Sequence, residues 1–331
     1  MPNISVIVPA YNSGKTIENC LKSIRDSAFK DYELIVADCN SNDNTCLIAG
    51  KYADKLTTLH GKPESIRARG TGVKASSGNI IVNVDSDIII KPDALSIINS
   101  YFSAHSDVDA ITGLLAKEHP HSGFFSQYKN LYMHYIFKKL PENVNFLYGS
   151  IHAIRKEAVP HYSANIKIAD DLALGQQLAS SGKRIVFLKS LEVIHLKKYN
   201  IHIFIKNDFC VPFDWAKIFL TYNGWKQLGK NNTGFAHSPK EQLLSVFLAP
   251  IILLFAVMNL FYRPLGILIL LLCLIWVSLN FYFLNFLRKE KGFSFAIISL
   301  FVTFFDNIIM ATGILSGFCS VFTQKLKWKK T

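Results

Sequence analysis

The chain has 331 residues, of which 50% are hydrophobic, and its formal net charge is +12. This length exceeds one average domain, and the apolar content argues against a wholly soluble protein. The basic residues concentrate before and between long hydrophobic runs after residue 240, so we expect membrane lipids, and no nucleic acid, as their partner. The composition therefore predicts a soluble domain followed by a membrane domain.

The start of the chain and its cysteines bear on location. A strand-like run begins at Ile4 without a charged leader or a small-residue cleavage site, so we expect no signal peptide and a cytosolic N-terminal domain. The six cysteines sit singly in unrelated segments. This spacing favours reduced thiols over a disulfide framework or a zinc site.

The first segments alternate between strand-like and helix-like patterns. Ile4–Val8 predicts a buried strand, and residues 16–28 predict an amphipathic helix, which together make a βα unit. The stretch between them is one residue short of a phosphate-binding P-loop, with Pro9 where the first glycine belongs. Because proline fixes φ and has no N–H group, we reject a P-loop here.

A second predicted strand, Glu33–Ala37, leads into the polar loop 38–45. A cluster of turn formers at the carboxyl end of a strand is able to hydrogen-bond a nucleotide base and ribose. A solvated turn that caps the next helix through Asn42 or Asp43 is the alternative. A helix predicted over residues 67–77 then leads into the central strand.

The central predicted strand is the apolar run 79–84, which stops at Asp85 and Asp87. In an extended backbone, residues two apart point to the same side, so both carboxylates are able to bind one Mg²⁺ or Mn²⁺. Open α/β sheets bind ligands at this end of their strands. Carboxylates after a strand are also ordinary turn and capping residues. The motif therefore indicates a metal site only together with the motifs around it.

Three later features leave alternatives open. Residues 124–140 predict either a core-packed helix or one that faces the bilayer or an acceptor. The pair Asp170 and Asp171 fits a helix N-terminus, where the dipole favours acids, and also fits an acidic catalytic pair. His195 is a candidate metal or phosphate contact, although a single histidine is more often structural.

The C-terminal third contains three long hydrophobic runs. The runs 243–263 and 265–287 are each long enough to cross about 30 Å of hydrocarbon as a helix. The basic stretch 288–291 after them is expected in the cytosol by the positive-inside rule. Before them, residues 199–240 predict an amphipathic, interfacial linker.

The third run, 293–322, permits two topologies. A third crossing would place the basic tail, 324–331, outside, against the positive-inside rule. A re-entrant hairpin bent at Asp306 and Asn307 would keep that tail in the cytosol. The sequence therefore predicts two to three spans within residues 241–323.

Several motifs occur together in the order and spacing of family 2 glycosyltransferases, and the chain resembles that family over roughly residues 4–200. The motifs are Ser5–Asn12, Asp38–Thr45, Ala68–Gly72, Val84–Asp87, Gly149–Lys156 and Ala169–Asp171, the last followed by Leu174, Leu178 and Gly182. The resemblance implies a GT-A, Rossmann-like α/β catalytic domain over residues 1–198. It also implies a nucleotide-sugar donor.

The resemblance also implies roles for individual residues. Pro9, Tyr11 and Asp38 would line the nucleotide base, with Arg69 nearby, while Asp85 and Asp87 would serve the ribose and the metal diphosphate. For the acceptor side, the resemblance implies that Asp171 is the base and Asp170 the acidic residue before it.

Departures from the family pattern limit what the resemblance implies. Cys39 stands where a second acid or a small residue is usual, which leaves the donor open between a UDP-sugar and a GDP-sugar. Gly70 replaces a common asparagine. No Gln-x-x-Arg-Trp motif follows Asp171, which argues against a processive polysaccharide synthase.

We expect an integral plasma (cytoplasmic) membrane protein whose catalytic domain faces the cytosol. The expected activity is inverting transfer of a sugar to a lipid-linked or saccharide acceptor in envelope polysaccharide biosynthesis. A sugar nucleotidyltransferase is an alternative, but its glycine-rich first loop is missing at residues 9–12. A catalytically silent membrane scaffold subunit is another, for which two intact acidic pairs would be a coincidence.

Overall fold

The structure is a computed structural model. It describes residues 1–61, 64–160, 169–226, 235 and 238–328, with the side chains described up to residue 323. The chain divides into two compact units, Met1–Lys198 and Tyr199–Thr331. The side chains of the predicted basic tail lie outside the described residues.

The first unit is built on a mixed β-sheet of nine described strands. They are β1 (Ile4–Ala10), β2 (Tyr32–Asp38), β3 (Lys55–Thr58), β4 (Ile80–Val84), β5 (Ile88–Ile90), β6 (Ala110–Leu115), β7 (Asn143–Val144), β8 (Ile151–Arg155) and β9 (Ile185–His195). Their order is β3-β2-β1-β4-β8-β6-β9-β5, and β7 pairs with β9.

Helices cover this sheet. They are α1 (Ile17–Arg25), α2 (Thr45–Tyr52), α3 (Ser65–Ala75), α4 (Ala94–Ala104), α5 (Phe124–Lys138) and α6 (Asp170–Ser180). The predicted amphipathic helix is found as α1, which buries its apolar stripe, including Leu21 and Ile24, in the main core. Burial of such stripes against the apolar strands is the main source of stability for this unit.

The register of the central strands brings four loops to one edge of the sheet. β1 is parallel to β2 and β4, and the last residues of β1 and β2, Ala10 and Asp38, are paired. β8 is antiparallel to β4 and pairs its first residue, Ile151, with Val84 at the end of β4. The loops after β1, β2 and β4 and the loop before β8 therefore emerge together.

The helix α5 packs in the interior of the first unit rather than presenting an apolar face outward. Most of its residues are buried, and it lies against β6. Asn130 donates to the carbonyl of Ala116 at 2.9 Å, and His134 Nδ1 lies 2.7 Å from the carbonyl oxygen of Leu115. Of the two alternatives for this segment, the structure contains the core-packed helix.

The second unit is helical. It comprises α7 (Ile201–Thr221), α8 (Lys240–Met258), α9 (Leu265–Lys291) and α10 (Phe293–Trp328). Within the described residues, α8, α9 and the part of α10 up to Thr323 are long and apolar enough to cross a membrane. These helices agree with the transmembrane pattern predicted from the sequence.

Two contacts tie these helices together. A Cβ atom on Gly313 or Gly317 of α10 would collide with a backbone carbonyl of α7, so the two glycines permit close approach of the helices. The hydroxyl of Ser245 on α8 accepts hydrogen bonds from Asn280 of α9 and Asn307 of α10, both at 2.6 Å. Side-chain amides of this kind hold apolar helices in register.

The helix α10 is continuous through Asp306 and Asn307. Both side chains are buried, with 1% and 4% of their surface exposed. The bend that a re-entrant hairpin requires at this position is not found in the described part of α10. Asn307 instead binds Ser245 of α8.

Candidate functional site

An arginine joins the two acidic pairs at the edge of the sheet. Arg69, on α3, donates through Nη2 to Asp85 Oδ1 at 2.7 Å and through Nη1 to Asp170 Oδ2. The Arg69 side chain is only 4% exposed. Burial opposes its charge, but the carboxylates of Asp170, Asp85 and Asp171 outweigh burial and raise the pKa of Arg69, so the guanidinium stays protonated.

The two carboxyl groups after β4 differ in their environment. Burial, reinforced by the charge of Asp87 and opposed by Arg69, raises the pKa of Asp85 to about 7. Burial would also raise the pKa of Asp87, but the nearby imidazole of His195 outweighs it and lowers that pKa. Asp87 is therefore the carboxylate that remains ionised near neutral pH.

His195 lies beside Asp87 because β5 and β9 pair. Ile88 of β5 is opposite His195 of β9, and His195 Nε2 is 3.3 Å from Asp87 Oδ2. A carboxylate oxygen and an imidazole nitrogen at this distance fit a divalent cation of the Mn²⁺ or Mg²⁺ type. Within the described residues, no group of three or more His, Cys, Asp or Glu side chains converges on such a position.

Asp171 is held by backbone groups. Gly149 N donates to its Oδ2 at 2.5 Å, and Leu172 N donates to its Oδ1 at 2.8 Å. A Cβ atom on Gly149 would lie 3.0 Å from Asp171 Oδ2 and 3.2 Å from Asp85 Oδ2, so glycine permits the close approach of both carboxylates to this backbone. Burial and the charge of Asp170 raise the pKa of Asp171 to about 6, which suits a base that works near neutral pH.

Asp170 has a different set of partners. Its Oδ2 accepts from Ser65 Oγ at 3.0 Å and from Arg69, and the residue is 8% exposed. Burial opposes ionisation, but Arg69 and Ser65 outweigh it and lower the pKa of Asp170. Asp170 is thus an ionised structural partner of Arg69, while Asp171 binds the backbone of Gly149 and Leu172.

The candidate nucleotide-binding residues lie along β1 and β2. Pro9 is buried within β1, and Tyr11, just after it, is 47% exposed. Asp38, at the end of β2, is fully buried and accepts from the backbone N–H of Ser41 at 2.9 Å and from its hydroxyl. Pro9, Tyr11 and Asp38 thus border the same edge as the acidic cluster, from the side of β2.

The alternative for the polar loop is also present in part. Asp43 Oδ1 accepts from Thr45 N at 3.0 Å, at the start of α2, and its Oδ2 accepts from Gly14 N at 3.0 Å. The N-cap residue of α2 is Asn44, one residue after Asp43, so the predicted cap at Asn42 or Asp43 is not found as such. Asp43 nevertheless binds the first N–H group of α2 and ties the loop after β1 to the loop after β2. Asp38 lies five residues earlier and takes no part in these contacts.

Sequence reasoning did not single out Ser65 or the backbone of Gly149. Ser65 is the first residue of α3, one turn before Arg69, and a helix begun at residue 67 misses it. A glycine shortly before a strand, as Gly149 is two residues before β8, is a usable signal of close backbone approach. In the sequence His195 is a single histidine, because Asp87, its neighbour in the structure, is distant along the chain.

The mixed sheet with its covering helices is typical of a GT-A domain, as the fold prediction stated. Residues 5–163 match the model of Glycosyl transferase family 2. This part of the chain is therefore a family 2 glycosyltransferase domain, which confirms the resemblance seen in the motifs.

Two relatives illustrate the similarity in sequence. The chain is 30% identical over 115 residues to glycosyltransferase GlyG of Streptococcus pneumoniae, covering 33% of this chain and 38% of that protein. It is 35% identical over 89 residues to the Escherichia coli UDP-Glc:alpha-D-GlcNAc-diphosphoundecaprenol beta-1,3-glucosyltransferase WfgD, covering 26% of this chain and 35% of that protein. The chain thus spans little more than a third of the length of these relatives.

A solved structure shares the fold over nearly the whole chain. The mannosyltransferase PcManGT from Pyrobaculum calidifontis, in complex with GDP-Man and Mn²⁺, superposes with a TM-score of 0.55 at 16% identity. The match covers 96% of this chain and 87% of that one. At this identity the likeness establishes the fold.

Proposed function

We propose that this protein is a membrane-anchored, metal-dependent, inverting glycosyltransferase. It moves a sugar from a nucleotide-diphosphate donor to a lipid-linked or saccharide acceptor in envelope polysaccharide biosynthesis. The observation that carries the proposal is the arrangement of the two acidic pairs: Arg69 fixes Asp85 and Asp170, while Asp171 stays available at the same edge. The two carboxyl groups of the second pair therefore have separate tasks.

The reaction follows from the roles of these side chains. Asp171 accepts the proton of the acceptor hydroxyl as that oxygen bonds to C1 of the donor sugar and the bond from C1 to the diphosphate breaks. Attack from the face opposite the leaving group inverts the configuration at C1. The two backbone N–H groups that donate to Asp171 orient its carboxylate and stabilise its negative charge before it accepts the proton.

The donor end of the site uses the other residues. Pro9, Tyr11 and Asp38 contact the base, and Asp85 binds the ribose. Asp87, with Asp85 as predicted or with the neighbouring His195, would hold Mg²⁺ or Mn²⁺, which when bound neutralises charge on the leaving diphosphate. The relatives support a UDP- or GDP-sugar, since WfgD is named for UDP-Glc and PcManGT holds GDP-Man.

The second unit would anchor the enzyme. We propose that α8, α9 and α10 lie in the plasma membrane, within residues 241–323, and that residues 199–240 form the interfacial linker. Exposed isoleucines on α7 at positions 201, 203 and 205 support contact with lipid for part of that linker. The catalytic domain, residues 1–198, would face the cytosol, where nucleotide sugars are made, and the anchor suits an acceptor carried on a lipid.

A single assay separates this proposal from its alternatives. Full-length protein in lipid nanodiscs is supplied with Mn²⁺, UDP- or GDP-sugars and a total membrane lipid extract, and products are followed by release of UDP or GDP and by lipid mass. We expect nucleoside diphosphate release coupled to a lipid heavier by one sugar, with Asp171→Asn inactive and Asp31→Asn, an exposed acid far from the site, fully active. A silent scaffold releases nothing, and a nucleotidyltransferase releases diphosphate from a nucleoside triphosphate and a sugar phosphate instead.

A further inference from the structure

A buried polar pair lies on neighbouring strands next to the site. Asn83 of β4 is paired directly with His152 of β8, and both side chains are 0% exposed. Residues directly opposite in an antiparallel pair project from the same face, with Cβ atoms about 4.5–5.5 Å apart. Ile81, two residues before Asn83 and thus on the same face, packs in a cluster with Val73 of α3. Asn83 and His152 therefore lie under α3, the helix that carries Arg69.

Four polar atoms in this region are buried without a hydrogen-bond partner among the described residues. They are Arg69 Nε, Asn83 Oδ1, Asn83 Nδ2 and His152 Nε2. A buried donor or acceptor that stays unsatisfied incurs its full desolvation penalty, so native structures satisfy such groups with protein atoms or with ordered water. Because all four atoms lie near one face of α3, we expect one common set of hydrogen-bond partners to satisfy them.

The donors and acceptors of this group are complementary. His152 Nδ1 lies 3.1 Å from the carbonyl oxygen of Tyr148, so Nδ1 carries the proton and Nε2 is an acceptor. Burial, reinforced by the charge of Arg69, lowers the pKa of His152 to about 3, which keeps the ring neutral. Arg69 Nε–H is a donor, and the amide of Asn83 supplies both functions.

We propose that Asn83 and His152 are positioning residues for Arg69, joined to its Nε–H through at least one ordered buried water. The guanidinium is planar, and its two terminal nitrogens already bind Asp85 and Asp170. Anchoring Nε as the third point fixes the rotation of the plane, so both carboxylates are reached together. The consequence for catalysis rests on the proposed function, whereas the network itself does not.

The network predicts a specific pattern of thermal stability in the full-length protein in detergent. Asn83→Leu and His152→Phe each remove one partner and leave the others unsatisfied, so each lowers Tm. The double variant removes both side chains of the network together, so its loss of Tm is smaller than the sum of the two single losses. If His152→Phe fails to fold, His152→Gln and His152→Ala are compared instead. His152→Gln keeps a hydrogen-bond acceptor, so it should have a higher Tm than His152→Ala. Additive losses, or equal losses for His152→Gln and His152→Ala, would overturn the network.

The positioning role is tested by a second cycle, with Arg69→Lys as the background. In the wild-type background we expect His152→Phe to lower kcat/KM by about tenfold, comparable to one buried hydrogen bond. In the Arg69→Lys background, where Nε–H and the planar fork are gone, the same change should cost less than about twofold. His134→Phe, a buried histidine on α5, is the matched control and should give the same factor in both backgrounds.

The two cycles separate the possible failures. Equal factors for His152→Phe in both backgrounds would overturn the positioning role while leaving the proposed function intact. If the wild-type protein turns over no nucleotide sugar, the proposed function is wrong. The stability cycle, which needs no substrate, then still decides whether Asn83, His152 and Arg69 share one network.

Discussion

The guanidinium of Arg69 binds the carboxylate of Asp170, a residue 101 positions later in the chain. This ion pair is buried on both sides, with side-chain exposures of 4% and 9%. The neighbouring Asp171 accepts hydrogen bonds from the backbone N–H groups of Gly149 and Leu172. One interaction thus gives two adjacent, chemically identical residues different partners, and the proposed function assigns the acceptor hydroxyl to Asp171.

The first prediction concerns the metal. Asp87→Ala and His195→Ala each remove one of two neighbouring donor groups, so we expect activity to fall and the Mn²⁺ concentration needed for half-maximal activity to rise. The measurement is nucleoside diphosphate release across a Mn²⁺ titration, with His105→Ala, outside the site, as the control. Full turnover of the wild-type protein in excess chelator would show that the Asp87 and His195 pair holds no required metal.

The second prediction concerns the acidic limb of the pH profile. A base with a pKa of about 6 is protonated below that pH, so kcat should fall as the pH drops below about 6. The groups that face Asp171 include Asp170, which raises its pKa, Arg69, which lowers it, and the N–H groups of Leu172 and Gly149. Asp85 also lies nearby, and the charge of Asp171 raises the pKa of Asp85. Asp170→Asn removes the raising charge, so the limb should move to lower pH. A limb that moves to higher pH in this variant would contradict the assignment.

The third prediction concerns stability away from the site. Glu33 is buried on β2 and accepts hydrogen bonds from Ser5 and Ser77, with Lys55 as its ion-pair partner. Burial would raise its pKa, but these three partners outweigh burial and lower it to about 2. Glu33→Gln should therefore destabilise the protein by about 2 kcal/mol at neutral pH.

The sign of the pH dependence for Glu33 follows from linkage. A lowered folded-state pKa contributes stability that is complete above the unfolded value of about 4.3 and is lost as the pH falls toward about 2. Glu33→Gln should remove this part of the acid sensitivity, so wild-type and variant thermal midpoints should converge as the pH falls through that window. A constant difference in Tm between pH 7 and pH 2 would argue against the ion pair.

Much of the site could be predicted from local pattern. An apolar run that ends at Asp85 and Asp87 defines the end of β4, since burial and strand period are local properties. The contact between Asp87 and His195 could not be predicted, because it depends on the antiparallel pairing of β5 with β9. The bridge from Arg69 to Asp170 depends on the phase of α3, whose start at Ser65 lies two residues before the start predicted from the sequence.

In the second unit, too, the sequence pattern predicts the elements but not the contacts between them. Hydropathy alone located three long apolar helices, because length and composition suffice for that. The polar pair Asp306 and Asn307 suggested a bend, yet α10 is continuous there, and Asn307 binds Ser245 of α8. A buried amide in an apolar helix is explained equally well by a bend or by a partner helix, and only tertiary packing decides between them.

The fourth prediction is topological. Arg263 joins α8 to α9, and Lys289 lies in the basic stretch at the end of α9. The positive-inside rule places Lys289 in the cytosol and therefore Arg263 outside. Cysteine accessibility to an impermeant thiol reagent, with single cysteines at these two positions, should label only the position at 263. Labelling at 289 from outside would reverse the orientation and with it the cytosolic location of the catalytic domain.

The most direct measurement compares Asp171→Asn with Asp170→Asn in donor binding and in steady-state transfer. Asparagine keeps the size of aspartate but cannot take a proton, so Asp171→Asn should leave donor affinity nearly unchanged and lower kcat by about 10² to 10⁴. Asp170→Asn should lower kcat by a smaller factor. It should mainly weaken the interaction with Arg69 and should thereby change donor affinity. If Asp170→Asn is the inactive enzyme and Asp171→Asn the active one, the assignment of Asp171 as the base is wrong.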